Sequence, residues 1–187
     1  ARYLDEPRAA PLRAAATELL LRQLRDEAGT GRELSTFRFL ARASTDDRVL
    51  TLCRRVVAGA ELPEGLTPGR EDCYLAAAAL LAAGRDAGAR DALAERFAGE
   101  DVQKERFLAE AARPTAEAKA RYWELYTQLE QPPEQWTQES LEWFHWPGQE
   151  ALTLPFLPRA LELVDWVKRN RRIFFMPAWL DGFVNGH

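Results

Sequence analysis

The chain has 187 residues, a formal net charge of -4, 47% hydrophobic residues and 29% charged residues. That balance excludes a disordered chain, and the length suits one domain or two small ones. The negative balance and the lack of a basic tail give no sign of nucleic-acid binding through bulk charge, leaving Lys168-Arg169-Asn170-Arg171-Arg172 as a local basic patch.

The first clear helix is expected over residues 9–28. Leu12, Ala15, Ala16, Leu19, Leu20 and Leu24 recur at three- and four-residue spacing and form its inward stripe, and Gly29 and Gly31 stop it. A shorter helix over Glu33–Ala43 turns Leu34, Phe37, Leu40 and Ala41 inward. Ser44-Thr45-Asp46-Asp47 then offers a hydroxyl cap followed by two acids, so a third helix runs to Ala58 and stops at Gly59. Its buried face is Val49, Leu52, Cys53, Val56 and Val57.

Pro63, Gly65, Pro68 and Gly69 make residues 60–69 a loop. The helix at 70–83 is small and apolar nearly all round, which marks it as central. Gly84 stops it, and further helices are expected near Ala87–Ala98 and Val102–Ala112. Pro114 cannot continue the last of these, and Thr115 caps a helix running to about Glu130 with Tyr122, Trp123, Leu125, Tyr126 and Leu129.

After Gln131-Pro132-Pro133, Thr137 is expected to cap a short helix whose Leu141, Trp143, Phe144 and Trp146 form an aromatic cluster, broken at Pro147-Gly148. Pro155–Arg169 reads as one helix, with Pro158 in its first turn and Phe156, Leu157, Ala160, Leu161, Val164 and Val167 inward. The tail Ile173–Leu180 is too apolar for a free end and should dock on the domain, on itself or on a partner. The aromatic residues concentrated in 122–183 read as a second packing layer or as a surface that meets another domain.

The expected fold is therefore all-α. Short helices in sequence with tight Gly and Pro stops imply antiparallel neighbours stacked into a HEAT- or armadillo-like superhelix over residues 1–187, with a sub-boundary near 113–115.

The chemistry of sites is sparse. A zinc peptidase needs two imidazoles one turn apart with a glutamate between them. His145 lies between Phe144 and Trp146, and His187 is the last residue, so no H-E-x-x-H exists and no metal ligand is assigned. Cys53 and Cys73 sit mid-helix on inward stripes and read as buried free thiols of a reducing cytoplasm, not as nucleophiles. There is no phosphate-binding glycine loop and no nucleophile elbow, so no catalytic residue is assigned.

The basic stretch Lys168–Arg172 reads either as charge complementing the end of its helix or as an anion site, since arginine forks match carboxylates. In the second case Lys168, Arg171 and Arg172 are the candidate contacts to a carboxylate, which the resemblance given below would make that of a peptide. No signal or transit peptide is visible, and the longest small apolar run, Leu75–Ala83, is far short of the about 20 residues a bilayer requires. Neither a membrane nor a nucleic acid is expected as a partner, and the expected compartment is the cytoplasm.

Three passages resemble the C-terminal helical domain of the aminopeptidase N family of bacterial zinc metallopeptidases. They are Leu62-Pro63-Glu64-Gly65-Leu66 with the following helix, Arg113–Trp123 with its stop at Pro114 and new helix at Lys119…Trp123, and, more loosely, Leu154–Phe183. The resemblance implies a stack of helices that closes over the active site of an N-terminal catalytic domain in the same polypeptide and limits the entry of peptide substrates. It implies zinc in the parent enzyme, no cofactor in this chain and no activity of this chain alone. The start at Ala1 without methionine fits a piece cut from a longer polypeptide, and fits processing equally. The alternative is a free-standing helical-repeat module that binds a protein partner.

Overall fold

A computed structural model describes residues 6–26, 29–85, 88–129 and 132–185. The helix ends expected at 28, 87 and 130, the stop at Gln131 and the terminal His187 lie outside the described residues. Every regular element among the described residues is helical, as the sequence implies. The chain divides into two compact units, Ala1–Ala98 and Gly99–His187. The Arg113–Thr115 junction lies inside the second.

The first unit holds α1 (Glu6–Asp26), α2 (Glu33–Ala43), α3 (Asp47–Ala58), α4 (Arg70–Ala82) and α5 (Ala89–Arg96). Helix α4 is its centre, packing on α2, α3 and α5, and Cys73 to Leu81 are buried without a break. A helix made of alanine and leucine all round can be approached closely from several sides, which is why it takes this place.

Asp72, buried in the first turn of α4, accepts the Gly69 N–H at 2.9 Å and holds the Arg38 guanidinium through Nε at 2.6 Å and Nη2 at 3.3 Å. At the start of α2, burial leaves Glu33 nearly solvent-free, and its carboxylate accepts the Thr30 N–H at 2.8 Å. Hydrogen bonds from its own N–H, then from Thr30, Gly29 and Gly31, hold its carboxyl below the usual carboxylate range.

Two expectations change in this unit. The cap of α3 is the Asp46 carboxylate, which accepts the Arg48 N–H at 2.9 Å. The Ser44 hydroxyl lies two residues before the cap and accepts the Asp46 N–H at 3.2 Å. In α1 the buried positions are Ala9, Thr17 and Leu24, whereas Leu12 and Leu19 are more than half exposed. Leucines occupy several faces of this helix, so spacing alone could not choose the stripe that packs on α2.

The second unit holds α6 (Gln103–Ala111), α7 (Ala116–Tyr126), α8 (Glu134–Phe144) and α9 (Glu150–Thr153), then a single 3-10 turn (Leu154–Phe156). It continues through α10 (Leu157–Glu162), α11 (Val164–Asn170) and α12 (Phe175–Leu180) to a π-type turn over Asp181–Asn185. Thr115 caps α7 as expected, its hydroxyl accepting the Ala118 N–H at 3.2 Å.

Helix α8 begins three residues before the expected cap. Thr137 is buried in its second turn and returns its hydroxyl to the Glu134 carbonyl at 2.8 Å, so it cannot serve as the cap. The single helix expected over Pro155–Arg169 is broken into the 3-10 turn, α10 and α11. Pro155 and Pro158 remove two backbone donors, and Leu163, with ψ of 0°, interrupts the helix again. The break leaves Leu161 half exposed instead of inward.

The aromatic residues form the core of this unit. Trp123 packs against Phe156 (5.2 Å between ring centres), Trp179 (5.7 Å) and Phe183 (5.5 Å, edge-on). The tail docks on its own unit from Phe175 onward, with Phe175, Trp179 and Phe183 fully buried and the Trp179 indole donating to the Ala160 carbonyl at 3.1 Å, while Ile173 and Phe174 at its start stay exposed. Gly182 is required where the π-type turn crosses His145, since a Cβ there would lie 2.9 Å from the imidazole Cδ2.

Candidate functional site

The side chains of the second unit that depart most from ordinary chemistry are two cations built into its interior, Lys119 and Arg171. Lys119 lies on the face of α7 that carries Tyr122, Trp123 and Tyr126, at the spacing of one helical stripe. Its side chain is fully buried. The ammonium donates to the Ala111 carbonyl at 2.8 Å and to the Phe144 carbonyl at 2.7 Å, which are the last residues of α6 and α8.

Those carbonyls are helix-end acceptors without an intrahelical partner, and they carry the negative end of each helix dipole. The ammonium also lies 5.1 Å from the centre of the Phe144 ring. One lysine thus ties two helices to a third. Burial pushes its amine down to about 7, while the two helix ends and the aromatic face favour the charged form. Gln149 continues the same device one residue on, its amide donating to the Ala112 carbonyl at 2.8 Å.

Arg171 does for α7 what Lys119 does for α6 and α8. Its Nη2 donates to the carbonyls of Tyr126, at 2.8 Å, and of Gln128. Its Nη1 lies 3.8 Å from Glu134, and its guanidinium carbon lies 4.6 Å from the centre of the Phe175 ring. Burial lowers its pKa, with Glu134 acting in the opposite sense.

The three basic residues singled out in the sequence are therefore placed differently. Arg171 is a buried anchor that joins the turn after α7 to the turn before α12. Arg172 and Lys168 are exposed, and Arg172 uses its backbone N–H, not its side chain, to reach Glu134 at 2.8 Å. An anion in solvent can meet Lys168 and Arg172, and Arg171 positions the turn that carries Arg172.

Lys119 was not singled out as a site residue from the sequence. The signal was present: it falls at i, with Tyr122 at i+3, Trp123 at i+4 and Tyr126 at i+7, so a lysine sits on an otherwise aromatic stripe.

Among the described residues, the cysteine and histidine side chains are packed into the interior. Cys53 and Cys73 are free and buried, and burial pushes the Cys53 thiol up to about 12 and the Cys73 thiol up as well, the opposite of an activated nucleophile. His145 packs edge-on against Phe183 at 4.5 Å and against Phe144 at 4.9 Å. Among the described residues no three His, Cys, Asp or Glu side chains come together in a way that could hold a metal ion.

In the first unit an open recess of about 250 Å³ is lined by Leu21, Leu24, Arg25, Arg48, Leu52 and Pro63. Arg48 is held there by Glu18 at 2.6 Å and Asp46 at 2.9 Å, so the recess has an apolar floor and a paired rim. Among the described residues no helix is long and apolar enough to cross a membrane.

No family model matches the sequence. No curated protein matches it at a significant level either.

Proposed function

We propose that this chain is the non-catalytic helical C-terminal domain of a zinc-dependent aminopeptidase, which encloses the active-site chamber and controls the access of peptides. The observation that supports this reading is the placement of Arg113–Trp123, the stretch that carries the resemblance. Its helix stop, its Thr115 cap, and its Lys119, Tyr122 and Trp123 side chains form the hub on which the second unit is built. In this reading the zinc, the catalytic groups and the nucleophilic water belong to an N-terminal domain of the same polypeptide, and the protein works in the cytoplasm. The two helical units contribute to a HEAT- or armadillo-like wall. Exposed Lys168 and Arg172 meet the carboxylate of a long peptide, and Arg171 holds the turn that carries Arg172.

The test is the mass and activity of the native protein. An antibody against this domain should detect a species several-fold heavier than 21.2 kDa that contains zinc and cleaves aminoacyl amides. A native species at the chain's own mass would overturn the proposal and leave an independent interaction module. Within the parent enzyme, Lys168→Ala with Arg172→Ala should raise KM for long peptides and leave dipeptide substrates unchanged.

A further inference from the structure

The most exposed large apolar side chains of the second unit are Ile173, at 80% exposure, and Phe174, at 73%. They are adjacent, and they form the tip of the turn between α11 and α12. An isolated exposed leucine needs no explanation, but a neighbouring pair at a turn tip does.

This tip is held from both sides. On one side the Arg171 guanidinium is fixed by the carbonyls of Tyr126 and Gln128, and the Arg172 N–H is fixed by Glu134. On the other side Phe175 is fully buried. The same Arg171 bond to Gln128 brings the turn after α7 alongside, and the next residue of that turn, Leu129, is itself half exposed. The apolar tip is therefore presented on a preformed support, which lowers the conformational cost of binding.

The charge around the tip is opposite to that of the whole chain. Residues 164–174 carry Lys168, Arg169, Arg171 and Arg172 against Asp165, with Glu134 packed beside the turn and the buried Arg171 paired to it, whereas the chain as a whole is at -4. Lys168, Arg169 and Arg172 are exposed. Two protruding apolar side chains flanked by long-stemmed cations match one kind of surface particularly well. The apolar pair enters the interfacial layer of a bilayer, and the cations stay at the level of anionic headgroups.

We infer that the turn Arg172-Ile173-Phe174, with Lys168 in the last turn of α11 before it, docks the second unit reversibly on an anionic lipid surface. This does not rest on the peptidase reading, and it gives Lys168 and Arg172 an anionic headgroup as partner in place of the peptide carboxylate proposed above. It also departs from the expectation of no membrane partner, which came from the lack of a spanning segment. Interfacial docking needs no such segment.

The test is co-sedimentation of the full 187-residue chain with vesicles of equimolar phosphatidylcholine and phosphatidylglycerol, and with vesicles of phosphatidylcholine alone. Binding should appear with the anionic vesicles only and should weaken as salt rises. Each exposed cation near the surface is worth on the order of fivefold in partition, so Lys168→Glu with Arg172→Glu should reduce binding by about 25-fold or more. Ile173→Ser with Phe174→Ser should reduce it by about tenfold or more. Both pairs are exposed, and far-UV circular dichroism should show the same helix content as the unchanged chain.

Three results would overturn the inference. One is no sedimentation with anionic vesicles above that of protein alone. Another is binding that the Ile173/Phe174 variant leaves intact, which would place adsorption elsewhere on the chain. The third is a dimer in light scattering that the same variant abolishes, without vesicle binding, which would make the occupant a second copy of the chain.

Discussion

The two units close their helices by different means. In the first, the devices are local. Asp46 caps α3 across two residues, Asp72 holds Gly69 across three, and Gly59, at φ of 64°, ends α3 by returning its own N–H and that of Ala60 to Val56 and Arg55. In the second, the carboxyl ends of α6, α7 and α8 are closed from a distance. Lys119 reaches Phe144 across 25 residues, Gln149 reaches Ala112 across 37 and Arg171 reaches Tyr126 across 45. Arg96 makes a comparable reach in the first unit, to Val56 across 40 residues, but there Gly59 already closes the same end. A helix closed by its own neighbours can form before the rest of the unit. One closed by a distant cation is complete only when the unit is, so α6, α7 and α8 should fold and unfold together.

All six tryptophans lie in the second unit, so their fluorescence reports that unit alone while far-UV circular dichroism reports both. Lys119→Ala should have the largest effect. It removes the partner of two buried helix-end carbonyls and leaves a cavity, with an expected loss of about 3–5 kcal/mol in the fluorescence transition. Lys119→Met keeps most of the volume and should lose less, about 1–3 kcal/mol from the unsatisfied carbonyls. Denaturant titration followed by both signals checks this. A loss of the same size in the part of the dichroism transition that fluorescence does not follow would break the assignment of Lys119 to the second unit alone.

The same lysine predicts a pH dependence. Its amine titrates near 7 in the folded chain against an ordinary value of 10.5, because burial opposes the charge. Between those values the unfolded chain binds more protons, so stability from this group rises with pH, by at most about 1.4 kcal/mol per pH unit. Below about 7 both states are protonated and the dependence vanishes. The stability difference between the unchanged chain and Lys119→Met should therefore move in favour of lysine from pH 7 to 10. A flat difference would mean that the two helix ends and the Phe144 ring hold the ammonium charged throughout.

How legible each region was follows from the same distinction. Helices α2 and α3 ended at the residues where the sequence placed them, and α4 ended within one, because acids, glycines and prolines act on their own neighbours. Helix α1 was found and Leu24 lies inward as its spacing placed it, but Leu12 and Leu19 do not, since leucines occupy several faces and only the packing of α2 decides. The stretch Pro155–Arg169 has a continuous apolar period, yet two prolines and the turn at Leu163 outweigh it. Arg171 was singled out for its charge and turned out to be an anchor. Lys119 passed as one more helical residue because its two acceptors lie at Ala111 and Phe144, which no local rule connects to it. The exposure of Ile173 and Phe174 depends on where Arg171 and Phe175 are pinned, which hydropathy does not report.

Gly59→Ala and Gly84→Ala test the local devices of the first unit. Both glycines have φ of 64°, where a Cβ costs about 1–2 kcal/mol. At Gly84 a Cβ would meet no atom within 4 Å, whereas at Gly59 it would lie 3.3 Å from the Arg96 guanidinium carbon. Gly59→Ala should therefore be the more destabilising of the two, through displacement of Arg96 from the Val56 carbonyl. Tryptophan fluorescence should follow neither change. Equal losses would show that Arg96 adjusts freely and contributes little to closing α3.

The smallest expected effect is the most direct control on the comparison. Amino-terminal caps are local in both units: Asp46 accepts the Arg48 N–H, and Thr115 accepts the Ala118 N–H. Asp46→Ala and Thr115→Ala should each cost about 1 kcal/mol, the first outside the fluorescence transition and the second within it. If the units differ only in how their carboxyl ends are closed, these two losses should match within a few tenths of a kcal/mol even though the cores around them differ. A Thr115→Ala loss as large as that of Lys119→Ala would show that α7 is limited by its start and not by the ends it joins. The stabilising role assigned to the buried lysine would then pass to the Pro114–Thr115 junction.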